Sequence, residues 1–222
     1  MRAMPLDDAV EDRYAAVTLQ PGMLFTHGHQ PHSGVDVLQV VIDWPTRLDP
    51  AAMDTAWQRA ARRHPVLRTA FTWPTSDDPA QVVQAAVTVP VVQHDWTAVG
   101  DGPVPPDPAA RLAAFLTADR VAGVDLRSAP LLRVTLITHA PDRHTVVVTF
   151  HHAVLDGRSA HMLLTEVCTE HDAIVAGTPY QPPQRHPFRD FARWVADRPL
   201  DADERFWTDR LAGLDLPTPL PV

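Results

Sequence analysis

The chain has 222 residues, 45% hydrophobic and 21% charged, the balance of a globular protein that buries a core. A formal net charge of -8 argues against a nucleic-acid backbone as partner, because such binders carry a basic field. No apolar run is long enough to cross a bilayer, and the single cysteine, Cys168, rules out an internal disulfide and fits a reducing cytoplasm.

Prolines number 23 against 9 glycines. Apolar stretches fall between them throughout, which points to rigid connections rather than disorder. Residues 1–14 carry Asp7, Asp8, Glu11 and Asp12 without an apolar core segment, so they do not read as a signal peptide. Cys168 lies in an apolar helical pattern and reads as an inert core thiol.

There is no internal repeat or low-complexity tract. Residues 1–16 read as an N-terminal arm, and a first short helix is expected over 19–26. Residues 35–44 form a strand with apolar residues on both faces, as expected of a strand covered on both sides. Asp49 followed by Pro50 reads as a helix N-cap with proline at the first helical position. Met53, Ala56, Trp57 and Ala60 then fall at helical spacing as one buried stripe. Two β-rich runs, 67–73 and 81–96, are parted by the turn-rich 74–79. Residues 100–108 are too proline-rich for regular structure. Pro108 opens a helix to about Val121, with Leu112, Phe115 and Leu116 inward.

The clearest strands cover 131–138 and 144–150, joined by a hairpin whose turn is Pro141-Asp142. A helix follows at once, with Ala160, Leu163, Leu164, Val167, His171 and Ile174 on one face. Residues 177–187 form an extended connection, and two closing helices are expected near 188–197 and 201–211. The alternation predicts an α/β sandwich with a mixed sheet.

Reactive chemistry concentrates at the strand-to-helix junction, in His151, His152, Asp156, Gly157 and Ser159. If the strand continues to His152, the two histidines point to opposite faces and cannot easily ligate one metal ion. Histidine titrates near neutrality, so His152 could take a proton from an attacking amine or hydroxyl. Asp156 could orient that imidazole as in a triad, or cap the helix; the sequence favours a backbone role or a structural ion pair. Gly157 would permit a positive φ or a close approach of substrate. Ser159 lacks the second glycine of a nucleophile elbow and reads as a helix N-terminal residue.

Several ordered segments carry a resemblance. They begin with Val10-Glu11-Asp12-Arg13-Tyr14 and Leu19-Gln20-Pro21-Gly22-Met23-Leu24-Phe25. Arg63-His64-Pro65-Val66-Leu67-Arg68-Thr69-Ala70-Phe71 and Asp125-Leu126-Arg127-Ser128-Ala129-Pro130-Leu131-Leu132-Arg133 follow. His151-His152-Ala153-Val154-Leu155-Asp156-Gly157-Arg158-Ser159 comes next, and Phe206-Trp207, Leu211-Ala212-Gly213 and Pro217-Thr218-Pro219-Leu220-Pro221 close the series. In order and spacing the set resembles the condensation domains of nonribosomal peptide synthetases.

The resemblance implies an α/β, chloramphenicol-acetyltransferase-like two-layer sandwich lobe with a mixed, largely antiparallel sheet and flanking helices. Residues 17–177 would form the N-terminal condensation lobe. Residues 178–222 would be the proline-rich connection and helices leading to a second lobe not contained in this sequence. The chain would expose an apolar patch meant for that lobe. By the same resemblance, His152 is the catalytic histidine, as general base or amine-positioning group, while His151, Asp156, Gly157 and Arg68 are structural or supporting. Met23, Arg158 and Ser159 are candidates for the substrate tunnel. Many relatives carry tryptophan where this chain has Arg158, and the opening and closing segments lean toward the subtype that accepts a D-configured donor.

No cofactor would bind directly, and no metal; substrates would arrive on phosphopantetheine arms of upstream donor and downstream acceptor carrier domains. Neither nucleic acid nor membrane is an expected partner. The fragment alone would be inactive. Alternatives are another acyltransferase of the same fold, using coenzyme A or a carrier, and a non-catalytic lobe that docks carriers.

Overall fold

The computed structural model describes residues 9–17, 19–30, 33–72, 79–97 and 107–214. Among them, strands β1 (Val10–Ala15), β2 (Val37–Trp44), β3 (Thr69–Thr72), β4 (Ala80–Gln84), β5 (Val91–Asp95), β6 (Leu132–Ala140) and β7 (Arg143–His151) build two sheets. The smaller is antiparallel in the order β1-β4-β3. The larger runs β2-β7-β6-β5, with only the β5–β6 pair parallel. Helices α1 (Gln20–His29), α2 (Pro50–Arg63), α3 (Pro108–Ala122), α4 (Gly157–Ala176), α5 (Phe188–Ala196) and α6 (Asp201–Arg210) accompany them. The expected α/β lobe with a mixed, largely antiparallel sheet is therefore borne out, but as two sheets rather than one.

The β6–β7 hairpin turns through Pro141 and Asp142, as its sequence predicts, with Ala140 opposite Arg143. β7 is the second strand of the larger sheet and is buried from His144 to His151, with Val146, Val148 and Phe150 in the core. α2 starts as read: the Asp49 carboxylate accepts from the amides of Ala51 and Ala52 at 2.9 and 3.0 Å. Its stripe of Met53, Ala56, Trp57 and Ala60 is buried in the core.

Four expectations need correction. The run 81–96 is not one strand. Pro90 has no amide to donate, and the Gln58 side chain satisfies both backbone groups of Val89, at 2.9 and 3.0 Å. There the chain crosses from the small sheet (β4) to the large one (β5). Residues 65–68, whose end reads as the opening of a strand, form a 3-10 turn before β3. Val10–Ala15, read as part of an arm, is a strand paired with β4. α1 continues to His29, past the expected stop at 26. The loops expected over 74–79 and 100–108 fall largely outside the described residues.

α3 carries Leu112, Phe115 and Leu116 on its inner face, though only half-buried, because it lies along a sheet face that is largely polar. That contact is held by Asp119, which accepts from Arg133 at 2.6 Å, Thr149 at 2.6 Å and Gln39 at 2.7 Å. α5 and α6 form where expected and leave large apolar side chains open, with Trp194, Phe206 and Trp207 each more than half exposed.

Candidate active site

β7 ends at His151, and a tight turn carries the chain into α4. Three backbone bonds set its path: His151 N to Leu131 O at 3.1 Å, His152 N to Asp36 O at 2.7 Å and Val154 N to His151 O at 3.2 Å. Asp36 presents its carbonyl from the left-handed region, at φ 63°, which Asp tolerates better than most residues. The Gln20 carboxamide ties α1 to the same turn. It donates to Ala153 O at 2.8 Å and to Gln81 at 3.1 Å, while its oxygen accepts from Val17 N at 2.9 Å.

The two histidines occupy unlike surroundings. His151 is fully buried, and its Nδ1 accepts from the amide of Ala153 at 3.1 Å. That nitrogen must therefore be unprotonated, which leaves the hydrogen on Nε2. Burial, reinforced by neighbouring His27 and His152, pushes the His151 imidazole down to about 4, so the ring is neutral at pH 7. The His27 ring meets it edge-on at 5.8 Å.

His152 is half-buried and leaves the strand. Its Nδ1 sits 2.9 Å from the carbonyl oxygen of Leu155. A carbonyl only accepts, so Nδ1 carries the hydrogen and Nε2 of the neutral ring keeps its lone pair. The ring lines a cavity of about 570 Å³, enclosed chiefly by α1, the 3-10 turn, α4 and the start of α5.

Asp156 does not orient the imidazole. Its Oδ1 accepts from Ser159 N at 2.7 Å and from the Ser159 hydroxyl at 2.6 Å, while Ser159 Oγ accepts from Asp156 N at 2.9 Å. This reciprocal capping box starts α4. The Ser159 hydroxyl and amide hold the Asp156 carboxyl below the usual carboxylate range, with His152 adding a smaller pull. Of the two readings open in the sequence, the backbone role is the one present.

The other expected residues divide. Met23 and Ser159 lie in the cavity wall, but Arg158, one position earlier on α4, faces solvent, because a helix turns neighbouring side chains away from each other. Gly157 is the first residue of α4 and has no positive φ; a Cβ there would meet nothing within 4 Å. Arg68 lies away from the cavity. Buried, it donates to Ala61 O at 3.0 Å, to Gln84 O and to Glu11, joining α2, β4 and β1. Burial pushes the Cys168 thiol up, away from nucleophilic chemistry.

Sequence reasoning missed Gln20 as a site support, and it missed an ionic cluster beside the cavity. Glu166 and Glu170, buried one turn apart on α4, face Arg59 and Arg63, one turn apart on α2. Glu166 Oε1 also meets His64 Nε2 at 2.9 Å. The i, i+4 spacing of both charge pairs was visible; that two helices would bring them together was not. Among the described residues, no group of three or more His, Cys, Asp or Glu is arranged to hold a metal ion. No helix there is long and apolar enough to cross a membrane.

Residues 10–221 match the Condensation domain family, nearly the whole chain. The chain belongs to the condensation-domain family. Condensation-domain relatives include a linear gramicidin synthase of Brevibacillus parabrevis, 34% identical over 210 residues. Bacitracin synthase 1 of Bacillus licheniformis is 26% identical over 213 residues. Those alignments cover 95% and 96% of this chain but 3% and 4% of the synthetases. The fold is similar to the starter condensation domain of rhizomide synthetase, with a TM-score of 0.78 at 21% identity over 95% of this chain. The first condensation domain of the calcium-dependent antibiotic synthetase gives 0.76 at 17% identity over 90%. The chain spans about half of each of those solved condensation domains, 52% and 48%. The resemblance to nonribosomal peptide synthetase condensation domains read from the sequence is thus borne out.

Proposed function

We propose that this chain supplies the histidine-bearing half of a site that forms a peptide bond between two thioester-bound partners. The donor acyl group and the acceptor amine would arrive on the phosphopantetheine arms of upstream and downstream carrier domains. The observation that carries the reading is the tautomer of His152: Nδ1–H is committed to Leu155 O, so the lone pair is on Nε2. In the proposed step the acceptor amine attacks the donor carbonyl, the new C–N bond forms and the C–S bond breaks. Nε2 takes the ammonium proton and returns it to the departing thiolate. A thioester is already reactive, so alignment of the amine supplies much of the rate, and base catalysis adds about 10²–10⁴-fold.

His151 and Asp156 would act through the turn that presents His152. The remaining wall of the site would come from a second lobe, so the 222-residue chain by itself would give no turnover. The test is His152→Ala in a complete condensation domain carrying this lobe, with donor and acceptor carriers followed by intact mass. Loss of the condensed product with both carriers still loaded is the expected result. Undiminished product would overturn the assignment.

A further inference from the structure

We propose that the end of α3 and the turn at residues 33–37 form a clamp that positions His152, with Gly34 against Arg120 as its decisive contact. This role rests on the reading of His152 as the reaction centre and adds residues that hold it there.

Strands β2 and β7 pair in register from Val37 opposite His151 to Trp44 opposite His144. The bond from His152 N to Asp36 O, at 2.7 Å, extends that ladder by one residue, although both residues lie just outside the strands. The place of the His152 backbone therefore follows the path of the chain into β2. The end of α3 grips both strands just before that point. Asp119 accepts from Gln39 of β2 at 2.7 Å and from Thr149 of β7 at 2.6 Å, and those two residues are opposite each other. Arg120, next on α3, donates to Gln39 Oε1 at 3.3 and 3.4 Å.

The turn is itself held at three points. Ser33 Oγ donates to Gln30 O, at the end of α1, at 2.8 Å and accepts from Val35 N at 3.2 Å. Gly34 O accepts from Val37 N at 3.3 Å, and Asp36 O takes the His152 amide. Gly34 and Asp36 both occupy the left-handed region, at φ 70° and 63°. Glycine has a second reason to stand at 34. A Cβ there would lie 2.9 Å from Arg120 Cγ and 3.3 Å from its Cδ, closer than packed carbon atoms tolerate. Cγ is placed by the helix rotamer of Arg120, so it does not swing aside as the guanidinium end does. An atom added at Gly34 would push the turn away from α3 and carry Asp36 O with it.

The test uses a complete condensation domain that carries this lobe, with kcat, KM for each carrier, and hydrogen exchange at the His152 amide as readouts. Asparagine tolerates a left-handed φ, so Gly34→Asn adds the Cβ with little backbone strain. It should lower kcat about tenfold, since misplacement by about 1 Å costs about a hundredfold, and leave both KM values unchanged. The His152 amide should exchange faster. Combining Gly34→Asn with Arg120→Ala should return kcat and exchange toward the values of Arg120→Ala alone. Should Gly34→Asn fail to fold, Ser33→Ala carries the test: it should lower kcat in the same way, and Ser33→Thr should restore it. Unchanged kcat and exchange in a folded Gly34→Asn domain, or a loss that Arg120→Ala does not relieve, would overturn the clamp. A parent domain that forms no amide would overturn the condensation reading, and exchange at the His152 amide would then decide the clamp by itself.

Discussion

His152 turns its Nδ1 to the carbonyl oxygen of Leu155 at 2.9 Å, three residues ahead in the same turn. One residue back, His151 does the reverse, its Nδ1 accepting from the amide of Ala153. Adjacent histidines therefore carry opposite tautomers, one fixed by an acceptor and the other by a donor.

That opposition is directly measurable. At about pH 7.5, nitrogen NMR shifts of the two imidazoles should show His151 as the Nε2–H tautomer and His152 as Nδ1–H when neutral. The same tautomer at both positions would contradict the geometry of the turn.

Asp156 should behave as a cap. Asp156→Ala is expected to cost about 1 kcal/mol of stability in urea unfolding, in the range of N-cap losses. Asp156→Asn should restore most of that, since Asn caps nearly as well. In a complete domain the Asn variant should keep most of its condensation rate, because His152 takes its orientation from Leu155. A collapse in rate with stability intact would make the aspartate a partner of the ring after all.

His151 predicts an acid sensitivity. Its folded value of about 4 lies below the unfolded value near 6.5, so the unfolded chain binds more protons between those limits. Stability is then fully present above pH 6.5 and is lost as pH falls toward 4, by at most about 1.4 kcal/mol per pH unit from this group. Urea titrations of His151→Asn at about pH 7 and about pH 5 should show a shallower acid loss than the parent chain.

The helix-pairing cluster predicts a coupling. Glu166 is buried while Arg63 is about a quarter exposed, so Glu166→Ala should cost about 2–3 kcal/mol, below the cost of breaking a wholly buried pair. A double-mutant cycle with Arg63→Ala should recover part of it, whereas strict additivity would mean the two do not interact.

What the sequence revealed followed from local physics. Asp49-Pro50, Pro141-Asp142 and Asp156-Gly157 each carry their instruction within a few residues, and all three form the cap or turn they encode. Which strand is covered on both sides was not legible: the run 35–44, read that way, is the partly exposed edge strand β2, whereas β7 is buried although His and Thr interrupt its apolar residues. The division of 81–96 was not legible either, because it depends on Gln58, far back on α2, satisfying Val89. At the site, His152 was singled out by the resemblance of the ordered segments around it, since a His-x-x-x-Asp pair by itself reads as readily as a core histidine and a helix cap. Gln20 looked like an ordinary polar residue until its three partners, from three parts of the chain, were in place.

The amide of His152 is held by the carbonyl of Asp36, a residue with no part in the chemistry and with an unusual backbone. Any side chain offers that carbonyl if its φ can be reached, so glycine or asparagine could replace Asp36 without displacing the histidine. Mutational drift at position 36 is thus free in chemical type yet bounded in shape. A catalogue of reactive residues would pass over position 36 and miss that its carbonyl anchors the turn carrying His152.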